Sequence, residues 1–535
     1  MNKEQTRQVA SPQASGYSEA GASRTRRALK SFIPRSGAPV DDIDKNNSTL
    51  RQRSRMLYMA SPVAASAINT NCIKAVGTGL VLKCTIDRER VGLSKEEAET
   101  WAKKTEAEWR LWASKRDNCD ALGVNDFNGL QELAIKSWLL SGDVYGLVKR
   151  YPTNRVNPYS LRIHLIEADR ISTPGDYGGS LAFDAVYGKV PAGKPGEGHD
   201  IYDGVEVDNQ GRIVAYYICN QYPNQIDLIR NRKWERVVAY GEKTRLPNIL
   251  HITRPDRPGQ YRGVPYLASV IEPLLQLRRY TESELMAALV QSLFTAWITT
   301  ETDQSGIPFN EVGAGDIAGV PGVNPGDGQV SNSPNEYEMA PGTVTHLKPG
   351  EQIHFGNPNI PTAGFDVFVK TFCKMIGAGL DLPYDVLIKE FNSSYSSSRG
   401  ALLEAWEGIK QRRVWLVNSF CQPVYEIWLA EAVARGRIKA PGFFEDPLIR
   451  DAWCKTAWIG PVQGQLDPKK EAEAALLLTS RGIKTHEMVT RELGGGDWES
   501  NTDQLLHERE KLGQQSTENS ITADEDEGDK DDGSE

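Results

Sequence analysis

At 535 residues the chain is longer than one hydrophobic core supports, and an apolar content of 39% is ample for several packed units. No eighteen uncharged apolar residues run together and the amino terminus is polar and basic, so neither a membrane span nor a secretory leader is expected. The formal net charge of -9 is uneven: residues 1–40 carry seven basic side chains against two acidic ones, whereas residues 522–535 hold eight acidic side chains against Lys530 alone.

Both ends, residues 1–45 and 513–535, are poor in large apolar residues and rich in Ser, Gly, Gln or Asp, the composition of disorder. They read as solvating tails, with contact to nucleic acid or a scaffold as the sharper alternative for the basic arm. Between them, residues 51–77 place Val63, Ala67 and Ile73 to Val76 on one helical face, entered at Ser61-Pro62. Residues 80–86 alternate as a strand, and 95–114 form a helix with Trp101, Ala102, Thr105, Trp109 and Trp112 on one face. A helix at 127–141 precedes strands at 144–151, 161–166, 212–217 and 249–252, with a hairpin-like turn at 208–212. Residues 46–262 thus read as one α+β domain.

Residues 265–298 repeat Leu267, Ile271, Leu274, Leu277, Leu285, Leu289, Leu293 and Trp297 as one helix of roughly 45 Å, with Pro273 as a point where it could kink. Residues 301–350 are dense in Gly and Pro and read as a surface excursion or small extended module. The chain then enters a helix marked by Phe365, Phe368, Phe372 and Met375, stopped by Gly377-Ala-Gly-Leu-Asp-Leu-Pro383. Asn392-Ser-Ser-Tyr-Ser-Ser-Ser-Arg399 reads as a polar loop whose flanks stay packed, which suits contact with a moving partner better than catalysis. Behind it, Leu403, Trp406, Val414, Val417, Phe420, Val424 and Ile427 mark a long helix from 400 to 435. Residues 441–444 and 453–460 read as loops and a short strand, Asp467-Pro468 caps a helix to Ser480, and a last helix covers roughly residues 485–492.

Chemistry-bearing motifs fail on inspection. Gly188-Lys-Val-Pro-Ala-Gly-Lys194 has phosphate-loop spacing, but Pro195 stands where a hydroxyl must hold magnesium. Glu97 with Glu99 and Glu471 with Glu473 lie on solvated helical faces; Asp143, Glu167, Asp169 and Asp203 fall near strand ends, where turn roles are commoner than metal ligation. The seven cysteines lie at least twelve residues apart and the seven histidines form no HExxH, so no disulfide framework and no zinc site is expected. A reducing cytoplasm is the natural place of synthesis. The expectation is no enzyme and no cofactor.

The order of parts, together with five stretches, resembles the lambda family of tailed-phage portal proteins. The stretches are Arg55-Met-Leu-Tyr-Met-Ala-Ser-Pro-Val-Ala-Ala-Ser-Ala-Ile68, His251-Ile-Thr-Arg-Pro-Asp-Arg-Pro-Gly-Gln-Tyr-Arg-Gly-Val-Pro265, Leu347-Lys-Pro-Gly-Glu351, Gly377-Ala-Gly-Leu-Asp-Leu-Pro-Tyr384 and Asn392-Ser-Ser-Tyr-Ser-Ser-Ser-Arg-Gly-Ala-Leu-Leu-Glu404. The resemblance covers roughly residues 50–500 and leaves out both tails.

It implies an α+β portal fold: a wing at 46–262, a stem helix at 263–299, a clip at 300–350 and a second stem helix at 351–383. A tunnel loop and long wing helix would follow at 384–435, then the remaining wing and a helical crown at 436–512. It also implies a homo-oligomeric ring, dodecameric in the virion, at the unique capsid vertex. Double-stranded DNA would pass through without sequence readout, and the partners would be the terminase large subunit, head-completion or connector proteins, and major capsid or scaffold protein. DNA-facing candidates are Lys389, Asn392, Ser393, Ser394, Tyr395, Ser396, Ser397, Ser398 and Arg399; Lys389 and Arg399 either touch phosphates or pair with Glu390 or Glu404. Subunit-packing candidates are Leu285, Leu289, Leu293, Phe365, Phe368 and Phe372. The rival readings are a phage enzyme such as a packaging motor or protease, and a structural capsid or tail protein that has no DNA channel.

Overall fold

The computed structural model describes residues 21–24, 26–34, 36–177, 186–222, 232–293, 296–300, 351–355, 364–391, 394–464, 467–494 and 496–525. They fall into two units, Met1–Leu274 with Cys373–Glu535, and Leu275–Phe372.

In the first unit a π-helical turn, Val40–Asp44, leads into helix α1 (Lys45–Ala60). The end of the expected disordered arm is therefore packed: Val40 and Asp44 are buried, and Asp42 pairs with Arg257 at 2.6 Å. Ser61 accepts the Ala64 N–H and opens α2 (Pro62–Ala75), as its Ser-Pro start requires. Its buried face is Ala64, Ala67, Ile68, Cys72 and Ala75, while Ile73 is 62% exposed. The grouping of Ile73 with Ala67 fails because six residues are not a whole number of turns.

Strand β1 (Val81–Cys84) and the short helix α3 (Arg88–Val91) precede α4 (Lys95–Ala113), which starts at a Ser94–Glu97 capping box. After α5 (Arg116–Cys119), helix α6 (Phe127–Ser141) is capped by Asp126 and ends at Gly142. Gly142 has φ +86°, and a Cβ there would lie 2.4 Å from the Gly263 backbone, so only glycine fits.

Strands β2 (Asp143–Arg150) and β3 (Leu161–Glu167) are followed by a meander of short strands, β4 (Tyr187–Lys189), β5 (Asp200–Tyr202), β6 (Val205–Val207), β7 (Ile213–Cys219) and β8 (Trp234–Val238). Strand β9 (Ile249–Thr253) returns to pair with β2, giving one sheet of order β3-β2-β9 and a second of order β4-β5-β6-β7-β8. Tyr145, Leu147, Ile166, Val205, Tyr216, Ile218 and Ile249 pack between the two sheets.

Helix α7 (Ile271–Leu293) stops before the expected end at 298, because Ala296–Thr300, a β-branched run, forms strand β10 and pairs antiparallel with β11 (Glu351–Phe355). Pro273 sits in the first turn of α7, where its missing N–H costs nothing. The segment expected as a second stem helix from 351 likewise begins as strand. Its helix, α8, is Phe365–Gly379.

A short helix α9 (Tyr384–Ile388) precedes α10 (Tyr395–Leu416). The expected serine loop is shorter than its sequence suggests: Ser394 caps α10 by accepting the Ser397 N–H, and Tyr395 to Arg399 are already helical. A π-helical turn, Val417–Cys421, carries α10 into α11 (Gln422–Ala434). A helix not anticipated from the sequence, α12 (Pro447–Cys454), lies between the segments 441–444 and 453–460 and takes in the start of the second; Asp446 caps it. Strand β12 (Thr456–Ile459) then pairs with β1, and α13 (Pro468–Ser480), α14 (His486–Leu493) and α15 (Trp498–Glu525) end the described chain. The backbone of residues 513–525, expected as tail, continues α15.

Aromatic side chains lock these elements together. Trp109 of α4 meets Trp112, Phe127, Tyr425, Trp428 and Trp458 with ring centroids 4.9–5.9 Å apart. Phe127 stacks on Phe420 in the π-helical turn. Each buried ring contributes about 1.5–3 kcal/mol through removal of apolar surface from water.

Candidate channel segment and subunit surfaces

The turn from α8 to α9 is tight by necessity. A Cβ at Gly377 would lie 2.4 Å from the Leu382 carbonyl oxygen, and the Leu382 N–H donates to the Gly377 carbonyl at 2.9 Å. Helix α9 buries Val386 and Leu387 and is tied to α2 by Ser66 Oγ donating to the Leu387 carbonyl at 2.6 Å. Beyond it Lys389 is exposed and left-handed, with φ +63°. Ser396 and Ser397 are exposed on the first turn of α10, whereas Ser398 is 9% exposed and faces inward. Arg399 pairs with Glu471 of α13 at 3.6 Å. Asn392 and Ser393 lie outside the described residues, as does the side chain of Tyr395.

Helix α10 is held from behind. Arg413 donates to the Ala75 and Lys74 carbonyls at 2.8 and 2.9 Å and to the Pro461 carbonyl at 2.6 Å, satisfying the C-terminal carbonyls of α2. Trp415 donates to the Thr253 carbonyl at 3.0 Å and packs on Trp138, ring centroids 4.2 Å apart. The exposed serines therefore start a helix whose far end is anchored to α2, α6 and β9.

In the second unit, α7 and α8 meet through Tyr280, whose ring lies 5.7 Å from Phe365 and 4.3 Å from Phe368. Phe368 in turn packs on Phe372 at 4.5 Å. Three of the expected subunit-packing residues thus have contacts within the chain. Leu285 and Leu289 are 62% and 51% exposed; the Leu293 side chain is outside the described residues.

The carboxylates weighed as metal ligands serve a different purpose. Arg262, fully buried, gives Nε to Asp143 at 2.7 Å and Nη1 to Asp203 at 2.6 Å, with Nη2 on the Ala168 carbonyl at 2.8 Å. Arg51 pairs with Asp203 at 3.2 Å, and Arg55 with Glu167 at 3.2 Å and with Asp169. Burial alone would raise the Asp143 carboxyl, but the Arg262 charge and the His251 ring hold it well below the usual carboxylate range. Asp44 is the exception. Its buried oxygens have no hydrogen-bond partner among the described residues, and burial together with the Asp203 charge pushes its pKa up to about 7. No cluster able to hold a metal occurs among the described residues. At the phosphate-loop lookalike, the Gly193 N–H donates to the Glu197 carboxylate at 3.0 Å, so an anion of the chain itself takes up that amide.

Sequence reasoning missed Arg262 and Arg413. The signal for Arg262 was available: four carboxylates at strand ends need cationic partners if they are buried.

Residues 25–413 match the family described as phage portal protein, lambda family, and the chain belongs to that family. It is 24% identical over 479 residues to portal protein B of Escherichia phage lambda, spanning 86% of this chain and 80% of the relative. It is 23% identical over 472 residues to the portal protein of Escherichia phage N15, spanning 86% and 81%. Among solved structures, the neck of a native GTA particle computed with C12 symmetry aligns over 84% of this chain and 94% of that one, at 12% identity and a TM-score of 0.39. At that score the alignment adds nothing to the family assignment.

Proposed function

We propose that twelve copies of this chain close into a ring at the capsid vertex and that double-stranded DNA slides through its centre during packaging and ejection. Membership of the family carries the portal role itself, a ring at the unique vertex of the phage head. The α9–α10 segment supports the channel: exposed Ser396 and Ser397 sit on a stiffly backed helix start, and exposed Lys389 follows α9. A conduit must not hold what it passes. Each phosphate neutralised by Lys or Arg adds salt-dependent affinity, so hydroxyls at the narrowest point of a chain of net charge -9 favour sliding.

In this reading α7 and α8 form the stem and residues 300–350 receive the terminase large subunit and later the connector proteins. The wing faces major capsid or scaffold protein, and α13 to α15 make the crown. The chain is synthesised in the bacterial cytoplasm and ends in the virion, as a structural protein rather than an enzyme.

The double substitution Ser396→Lys with Ser397→Lys tests the channel. It is expected to leave ring assembly intact and to slow packaging, with the defect relieved as salt rises. Packaging at the parental rate across salt concentrations would favour a shell protein that never meets DNA.

A further inference from the structure

A cleft of about 550 Å³ opens between α5 and the connection from β2 to β3, lined by Lys115, Arg116, Asp117, Asn118, Asn157 and Arg162 among others. Arg162 is the unusual member. It is 5% exposed, yet among the described residues it forms no ion pair, unlike the buried Arg51 and Arg262. Its Nη1 donates to the Tyr159 and Leu161 carbonyls at 3.1 and 2.7 Å, and its buried Nε has no partner. The nearby Glu431 is committed elsewhere, to Arg150, Arg435 and the Ser160 and Leu161 amides.

A buried guanidinium without a direct ion pair is costly, and its planar fork suits a carboxylate. The cleft adds two exposed cations, Lys115 and Arg116, against one carboxylate, Asp117, so it carries a net positive charge. Asn118 and Asn157 are buried at its floor, so the site has depth as well as a rim. A cleft of this volume admits a side chain rather than a duplex.

The acidic end of the chain has the complementary chemistry, with eight carboxylate side chains against Lys530 alone in residues 524–535. We propose that this cleft binds a carboxylate of residues 524–535, from the same or a neighbouring copy, with Arg162 as the buried anchor and Lys115 and Arg116 at the rim. Ordering of the tail there would keep its charge away from DNA phosphates.

Carbodiimide cross-linking of the full-length protein, read by peptide mass mapping, tests this. The expected product joins Lys115 Nζ to a carboxyl within residues 524–535. Its yield should fall about tenfold or more in Arg162→Gln, the scale of losing a charge-assisted hydrogen bond. Because Arg162 is buried, the exposed charge reversal Arg116→Glu serves as the second variant and should weaken the same product while leaving thermal stability unchanged. A tail that cross-links only to other lysines, a Lys115 joined only to carboxyls outside residues 524–535, or a yield indifferent to both substitutions would overturn the proposal. So would protection of Lys115 from acetylation by duplex DNA in the absence of any tail product.

Discussion

Buried charge is the decisive chemistry at the scale of single residues. Arg262 gathers Asp143, Asp203 and the backbone carbonyls of Ala168, Ile171 and Asp203 in a buried site, so removing it strands the fully buried Asp143. Arg262→Ala is expected to destabilise the chain by about 3–5 kcal/mol, read by urea denaturation. Asp44 behaves in the opposite sense. Its carboxyl titrates near 7 when folded and near 3.8 when unfolded, so over that interval the folded state holds a proton that the unfolded state has released. Stability therefore falls as pH rises from about 4 to about 7 and is level above that. Asp44→Asn removes the dependence. The variant is expected to melt higher than the parent at pH 8, with the gain shrinking towards pH 4; an equal gain at both pH values would refute the account of Asp44. The sequence pointed to the carboxylates but not to their arginines, since Arg51 and Arg262 lie 211 positions apart and only the fold brings both to Asp203.

Among the elements, local chemistry was legible wherever caps and periodicity agreed. Helix α6 was read at its observed bounds, residues 127–141, and the start of α13 from Asp467-Pro468. The same cap, Asp446-Pro447, opens α12, which went unread because eight residues give too little periodicity. Strands β4, β5 and β6 have three residues each, too few for alternation to show. The pairing of β1 with β12 joins positions about 375 apart in the chain, which no local pattern encodes. In the candidate channel segment, the serines were recognised as polar but not as a helix start, although Ser394 is a strong cap. Ser394→Ala is expected to cost about 1 kcal/mol and to raise hydrogen exchange in the first turn of α10. Unchanged exchange at Ser396 to Arg399 would mean that the cap does not set the boundary.

Among the described residues, apolar side chains stay exposed on α7, at Leu285, Met286 and Leu289, and on the last helices, at Leu476, Leu477, Met488, Leu505 and Leu506. Head-to-tail contacts between copies close into a ring when the rotation allows it, and faces of this kind then become interior. No helix among the described residues is long and apolar enough to cross a membrane, so these surfaces are not explained by a bilayer span. Ring closure is the central claim, and mass photometry of the purified chain with negative-stain imaging of its largest species tests it most directly. A species twelve times the mass of the 59.3 kDa chain, seen as rings with a central hole, is the predicted result. A stable monomer across salt and protein concentration would contradict it.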